Sequence, residues 1–260
     1  MSGCSAQIRE PLDRRIAVND RKPILIIGGT RGTGLLIAKI LDRQGRPVRV
    51  LARDPIRAAE RLGSTVQVVA GDLTKEDSLP PALDAIAHII FTAGCRSGRP
   101  FREAKIKATE YHGVLHVLMA AQRSDFSGRF LYMTSSGVMT RSFWTFCLNT
   151  YKGNTLKWRR RAEDKIRASG LDYTIIRTGV LLNRAGGQRA LKVTPDPLPL
   201  SPRYRIARAD VAEAFVAALD HPRTTRTSFE IVWSRGNRRE TWPVLFERLT
   251  PDPGPLSPAV

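Results

Sequence analysis

The sequence predicts an α/β fold, a doubly wound parallel sheet of the Rossmann type, built as a single domain with a small loop-rich C-terminal substrate lobe. Three observations predict it. From Pro23 onward short apolar runs alternate with amphipathic helical stretches. A glycine cluster at 28–34 separates the first run from the first helix. No internal repeat divides the 260 residues, a length that suits one sizeable α/β domain with a small appendage.

Taken in order, the first unit is a strand at 23–27, the glycine turn, a helix at about 33–44 and a strand at 47–52. Leu36, Ile37, Ile40 and Leu41 recur at helical spacing, and Gly45 followed by Pro47 stops the helix. The pattern repeats with a short helix at 55–62 and a strand at 65–70. A helical segment near 75–83 leads to a strand at 86–92, and a long helix follows at about 103–123. A strand at 130–134, a helix at 155–169 and a strand at 173–177 continue the alternation. Four prolines among residues 194–202 mark a lobe at about 180–208, where substrate specificity is expected. A helix at 209–219 and a strand at 228–233 complete a domain of 23–235, flanked by a flexible extension at 1–22 and a proline-rich tail at 236–260.

Composition excludes some classes. No apolar run approaches the roughly 18 residues of a membrane helix. The first 22 residues carry Glu10, Asp13 and Asp20 and lack an apolar core, so a secretory signal is not expected. Cys4, Cys95 and Cys147 are odd in number and far apart, which points to a reducing cytoplasm. His88, His112, His116 and His221 show no metal-ligand spacing, and no metal is expected. The net charge is +18, with 33 arginines among 42 basic residues. They are scattered, whereas a nucleic-acid footprint concentrates on one face, so nucleic acid is a minor reading. The densest cluster, 157–161, is read as a solvated helix face with a docking surface as the alternative.

The glycine cluster carries the chemistry. Gly28-Gly29-Thr30-Arg31-Gly32-Thr33-Gly34 follows a strand and opens a helix. Gly28 turns the chain off the strand, Gly32 lets backbone approach a diphosphate and Gly34 permits close helix packing, while free N–H groups and the helix dipole favour the anion. An NAD-preferring site closes its second strand with an acid for the ribose hydroxyl. Here Arg53 stands there, suited to a 2′-phosphate with Arg31 beside it, so NADP(H) is expected over NAD(H). Asp72, in the step Gly71-Asp72-Leu73, is placed either to accept from an adenine amino group or to cap the segment that follows. Thr92-Ala93-Gly94 supplies small residues over which a dinucleotide can lie.

These motifs together resemble the short-chain dehydrogenase/reductase superfamily, and more closely its atypical, NAD(P)-binding NmrA-like members. The glycine loop resembles the superfamily's T-G-x-x-x-G-x-G with Ile27 for Thr. Gly71-Asp72-Leu73 resembles its adenine-side Asp step, and Thr92-Ala93-Gly94 its N-A-G step. The run from Ser169 to Gly179 is similar to S-G-L-D-Y-T-I-x-R-P-G, with Thr178 for Pro, and Arg205 to Ala212 resembles I-S-R-x-D-V-A. One departure is catalytic. The superfamily's Tyr-x-x-x-Lys dyad is absent, because Tyr111, Tyr132, Tyr151, Tyr173 and Tyr204 are followed four residues later by Leu115, Ser136, Thr155, Arg177 and Arg208. Atypical members often place a Lys before the Glu of the next helix, where this chain has Arg159 and Glu163.

Without the dyad, hydride transfer suits acceptors whose protonation solvent can complete, such as quinones, flavins and conjugated pyrroles. Ser135, Ser136, Tyr151 and Lys152 are weak catalytic candidates, with loop capping and surface exposure as their alternatives. Three functions stay open: an NADP(H)-dependent reductase of a small electron acceptor, a non-catalytic NADP(H) sensor or assembly factor, and a binder of nucleic acid or an anionic surface. The oligomeric state is not legible from these residues.

Overall fold

A computed structural model describes residues 22–95 and 103–253. Most of the expected extension, with Cys4, and the last residues of the expected tail lie outside the described residues.

The first βαβ unit is β1 (Ile24–Ile27), α1 (Gly32–Arg43) and β2 (Val48–Ala52). Every residue of both strands is buried, as expected of parallel strands covered on two faces. Helix α1 turns Ile37, Ala38 and Leu41 to the sheet, and each large side chain so buried stabilises the fold by about 1.5–3 kcal/mol. Then come α2 (Pro55–Leu62), β3 (Gln67–Ala70), a 3-10 turn at Glu76–Ser78, α3 (Pro80–Leu83) and β4 (His88–Phe91). The long helix expected at 103–123 is interrupted: α4 (Glu103–Lys107) passes through a π turn at Ala108–His112 into α5 (Gly113–Arg123). Such a wide turn carries an extra residue, and Glu110 within it is buried.

The second half contains β5 (Arg129–Ser135), α6 (Phe143–Tyr151), α7 (Thr155–Arg167) and β6 (Asp172–Thr178). It continues with β7 (Val180–Leu182), β8 (Leu191–Thr194), β9 (Arg205–Ala207), α8 (Arg208–Asp220), β10 (Thr227–Trp233) and α9 (Trp242–Phe246). The main sheet runs β3-β2-β1-β4-β5-β6-β10-β8. All pairs are parallel except β10–β8. Strand order reverses at β1, which opens a crevice at the carboxyl ends of β1 and β4.

One expectation is sharpened and one corrected. The lobe at 180–208 is less irregular than its prolines suggest: β7 pairs with β9, and β8 joins the main sheet. The segment from 236 is not a tail throughout, because Leu245, Phe246 and Leu249 are buried in the core and the Asp252 carboxylate accepts from Ser228 N–H and Tyr173 O–H. Proline density signalled loops correctly in type, but the apolar residues between prolines still find the sheet. Helix α6 went unread because it lacks an inward apolar stripe.

Candidate functional site

The crevice is a cleft of about 1040 Å³ at the switch point of the sheet. Its floor is the glycine loop. Gly28 has φ of +89°, and a Cβ there would stand 2.6 Å from Ala93 N, so the first turn and the end of β4 meet at glycine-only distance. Gly34 does not line the cleft. It packs behind it, where a Cβ would come within 2.4 Å of the Gly28 carbonyl oxygen.

The start of α1 is left open to the cleft. Arg31, at the N-cap, makes no side-chain capping bond, and the first turn carries no acid. The Thr33 hydroxyl is buried with no hydrogen-bond partner among the described residues. Uncapped N–H groups, an unpartnered hydroxyl and a positive helix end suit a diphosphate. Thr92 ties the second wall to the first, its hydroxyl donating to the Ile27 carbonyl at 3.1 Å.

At one end of the cleft, beyond β2, the lining is basic: Arg31, Arg53, Arg57 and Arg61. Arg61 Nη1 lies 3.5 Å from the Thr30 carbonyl oxygen, bracing the loop. The neighbouring acid, Asp54, caps α2, its Oδ1 accepting from Arg57 N–H at 3.0 Å. Asp72 closes a local turn and does not cap the segment that follows: Oδ1 accepts from Thr74 N–H at 3.0 Å and from the Thr74 hydroxyl at 2.9 Å, while the 3-10 turn at Glu76–Ser78 has no side-chain cap. Partial burial pushes the Asp72 carboxyl up, but those bonds and the charges of Arg53 and Lys75 outweigh it and hold the carboxyl below its ordinary range. It remains an ionised acceptor on the cleft wall beside Leu73.

The other end is lined by Ala93, Gly94, Cys95, Lys105, Thr109, Met133 and Lys152, with Asn183 and Arg208 above the loop. Arg208 Nη1 donates to the Leu181 carbonyl at 3.1 Å and to Asn183 Oδ1 at 2.9 Å, and its Nε lies 3.8 Å from where a Gly32 Cβ would be. It therefore links the lobe to the phosphate loop. Arg57, Arg61, Lys105 and Arg208 were missed in the sequence; only Arg208 had a signal, the I-A-R-A-D-V-A run.

Of the four catalytic candidates, only Lys152 lines the cleft. Ser136 is fully buried, and its hydroxyl donates to Glu230 Oε2 at 2.6 Å. Strand alternation explains this: Ser136 extends the β5 ladder by donating N–H to the Thr178 carbonyl, so its side chain faces away from that of Ser135. The Ser135 hydroxyl bonds the Ser136 carbonyl, and Tyr151 is exposed on α6.

Behind Gly94 lies a buried ion pair. Arg159 forks Glu110, Nε to Oε2 at 3.0 Å and Nη2 to Oε1 at 3.2 Å, while Glu110 Oε1 also accepts from Cys95 N–H at 3.0 Å. Burial pushes the Glu110 carboxyl up, and the Arg159 charge with hydrogen bonds from Arg159, Thr155 and Cys95 overcomes it and keeps the carboxyl below its usual range. The pair fixes the backbone that follows Thr92-Ala93-Gly94. Burial and Glu110 also push the Cys95 thiol up, which leaves it protonated and a poor nucleophile. The 157–161 cluster is divided: Trp158 is buried and Arg159 turns inward, while Lys157 and Arg161 stack over Trp158 from outside.

Fold and cleft together define a dinucleotide-binding α/β protein of the oxidoreductase type. Residues 28–222 match the family described as NAD(P)H-binding, and the chain belongs to that family, among the atypical short-chain dehydrogenase/reductases. It is 30% identical over 250 residues to sanguinarine reductase from Eschscholzia californica, covering 83% of this chain and 91% of that one. It is 25% identical to the photosystem II assembly factor Ycf39 from Synechocystis, over 82% of this chain and 63% of the relative. An anaerobillin reductase from Escherichia coli O157:H7 has the same fold, with a TM-score of 0.67 at 21% identity over 83% of this chain and 99% of that one. No described helix is long and apolar enough to cross a membrane.

Proposed function

We propose that this chain is a cytoplasmic reductase that takes NADP(H) in preference to NAD(H) and passes hydride to a small conjugated acceptor such as a quinone or flavin. The observation that carries the coenzyme preference is the guanidinium wall beyond β2, with the neighbouring acid Asp54 engaged in capping α2. Arginine forks match a 2′-phosphate, and charge-assisted bonds are the strong ones. In this reading the amides of Gly28–Thr33 hold the diphosphate, Arg53 and Arg31 hold the 2′-phosphate and Asp72 accepts from the adenine amino group. Thr92, Ala93 and Gly94 leave room for the coenzyme. When bound, the reduced coenzyme supplies the hydride. Lys152 and Met133 wall the space where an acceptor enters, and the Lys152 ammonium stabilises negative charge on the acceptor oxygen while solvent delivers the proton. The reductases among the relatives and fold neighbours support this reading.

Turnover is tested by NADPH oxidation with a panel of quinones, flavin and aldehydes, alongside direct binding of both coenzymes. Arg53→Asp is expected to weaken NADPH at least about tenfold while NADH changes little. An equal loss for both coenzymes overturns the preference.

A second reading is a non-catalytic NADP(H) sensor or assembly factor. It is favoured by the cleft having no tyrosine among the described residues of its lining, and by the relative named as an assembly factor. Tight NADPH binding with no turnover of any acceptor decides for it.

A further inference from the structure

Helix α6 is built inside out. Among the described α-helices it alone buries none of its residues. Its attachment is polar: the Ser142 hydroxyl caps it by accepting from Thr145 N–H and itself donates to the Leu200 carbonyl, and Asn149 Oδ1 accepts from Leu156 N–H. Its outer face is aromatic, with Phe143 73%, Trp144 48%, Phe146 70% and Tyr151 58% exposed. At helical spacing these four span an arc of roughly 160°, opposite Thr145 and Asn149. Each such ring forgoes about 1.5–3 kcal/mol by staying in water, and a contiguous apolar surface of this kind marks a contact site.

The surrounding charge says what the contact is. From Phe126 to Ala162 the chain has no Asp or Glu. Arg141 and Lys152 are exposed at the two ends of α6, Lys157, Arg160 and Arg161 are exposed on α7, and the whole chain carries +18. Glu103, which packs against Gly153, accepts from Trp158 Nε1. A convex aromatic face is ill suited to a small ligand, which binds in concavities. Phe on the outermost arc, Trp and Tyr beside it and cations at the rim are the composition of a helix lying in a membrane interface.

We propose that α6 seats this protein on an anionic lipid bilayer, Phe143 and Phe146 entering the acyl boundary, Trp144 and Tyr151 lying at headgroup level, and Arg141 meeting lipid phosphates. Because Lys152, at the end of α6, lines the cleft, docking sets one end of the cleft beside the lipid surface. This inference is independent of the turnover proposed above.

The test uses the full chain and sedimentation with vesicles of phosphatidylcholine alone or mixed with phosphatidylglycerol. Binding is expected at least about tenfold tighter to the anionic vesicles, weakening with salt. The double substitution Phe143→Ser with Phe146→Ser is expected to lower it at least about tenfold further, with circular dichroism and NADPH affinity unchanged. Brominated lipid should quench tryptophan fluorescence in the parent chain, and Trp144→Phe should remove that quenching although the other three tryptophans remain. The proposal is overturned by equal or absent binding to the two vesicle types, or by anionic binding that survives the double substitution. It is equally overturned if the double substitution dissolves a dimer seen by light scattering, or raises KM for a water-soluble acceptor while leaving vesicle binding intact.

Discussion

Arginines in two regions of this molecule do opposite work. Against the second half of the sheet they are buried or half-buried and matched. Arg177 is 4% exposed and pairs with the fully buried Glu163 at 2.7 Å, Arg167 joins the same carboxylate at 2.9 Å, and Arg129 binds Asp172, the Ala218 carbonyl and the Thr224 hydroxyl. In the cleft, Arg31, Arg53 and Arg57 make no ion pair with a described residue. These matched guanidinium groups hold packed elements together, and their removal threatens the fold. Unmatched ones leave charge available for a ligand, and their removal should spare the fold. Composition alone merges the two sets into a single arginine bias.

The sharpest way to break this comparison is Glu163→Gln, which leaves Arg177 and Arg167 without their shared charge. Loss of about 3–5 kcal/mol in urea unfolding is expected, against a change within about 0.5 kcal/mol for Arg57→Ala in the cleft. Similar effects for the two substitutions would erase the distinction.

The next largest effect concerns Glu230, the carboxylate under Ser136. Burial pushes it up to about 7, against the partial relief of the Ser136 hydroxyl and the Arg177 charge, and its Oε1 is buried without a partner among the described residues. A carboxyl raised in the native state from an ordinary 4.5 binds more protons folded than unfolded, so its contribution is complete below the unfolded value and is lost as pH rises through about 7. Glu230→Gln is therefore expected to stabilise the protein relative to the parent by about 3 kcal/mol more at pH 8 than at pH 4. Equal differences at both pH values in denaturant titrations would show that the Glu230 carboxyl titrates alike in the folded and unfolded chain and is not raised by burial. His88 runs the other way. Burial lowers it to about 4, so the native state gains stability as pH rises from about 4 to the ordinary 6.5, and His88→Gln should flatten that part of the profile.

The smallest effect is expected at Arg61, which braces the Thr30 carbonyl from the rim of the cleft. Arg61→Ala should weaken NADPH by about two- to fivefold and leave urea unfolding within about 0.5 kcal/mol of the parent. A larger loss of stability would move Arg61 into the structural set.

The glycine turn, the strand-helix alternation and the class of ligand were all legible in the chain, because each is written in neighbours a few residues apart. Gly28, Arg31, Arg53, Asp72 and Thr92–Gly94 come together on one cleft because parallel strands bring their carboxyl ends to one edge, a rule that needs only the order of elements. What only tertiary structure decided are the pairings between elements: Arg159 with Glu110, Arg177 with Glu163, and Ser136 with Glu230 across 94 residues. Ser136 and Tyr151 stood in the right stretch of sequence, yet one faces the buried carboxylate and the other solvent. Local patterning sets which way a chain turns; which charge is neutralised and which left free depends on partners that sequence distance does not reveal.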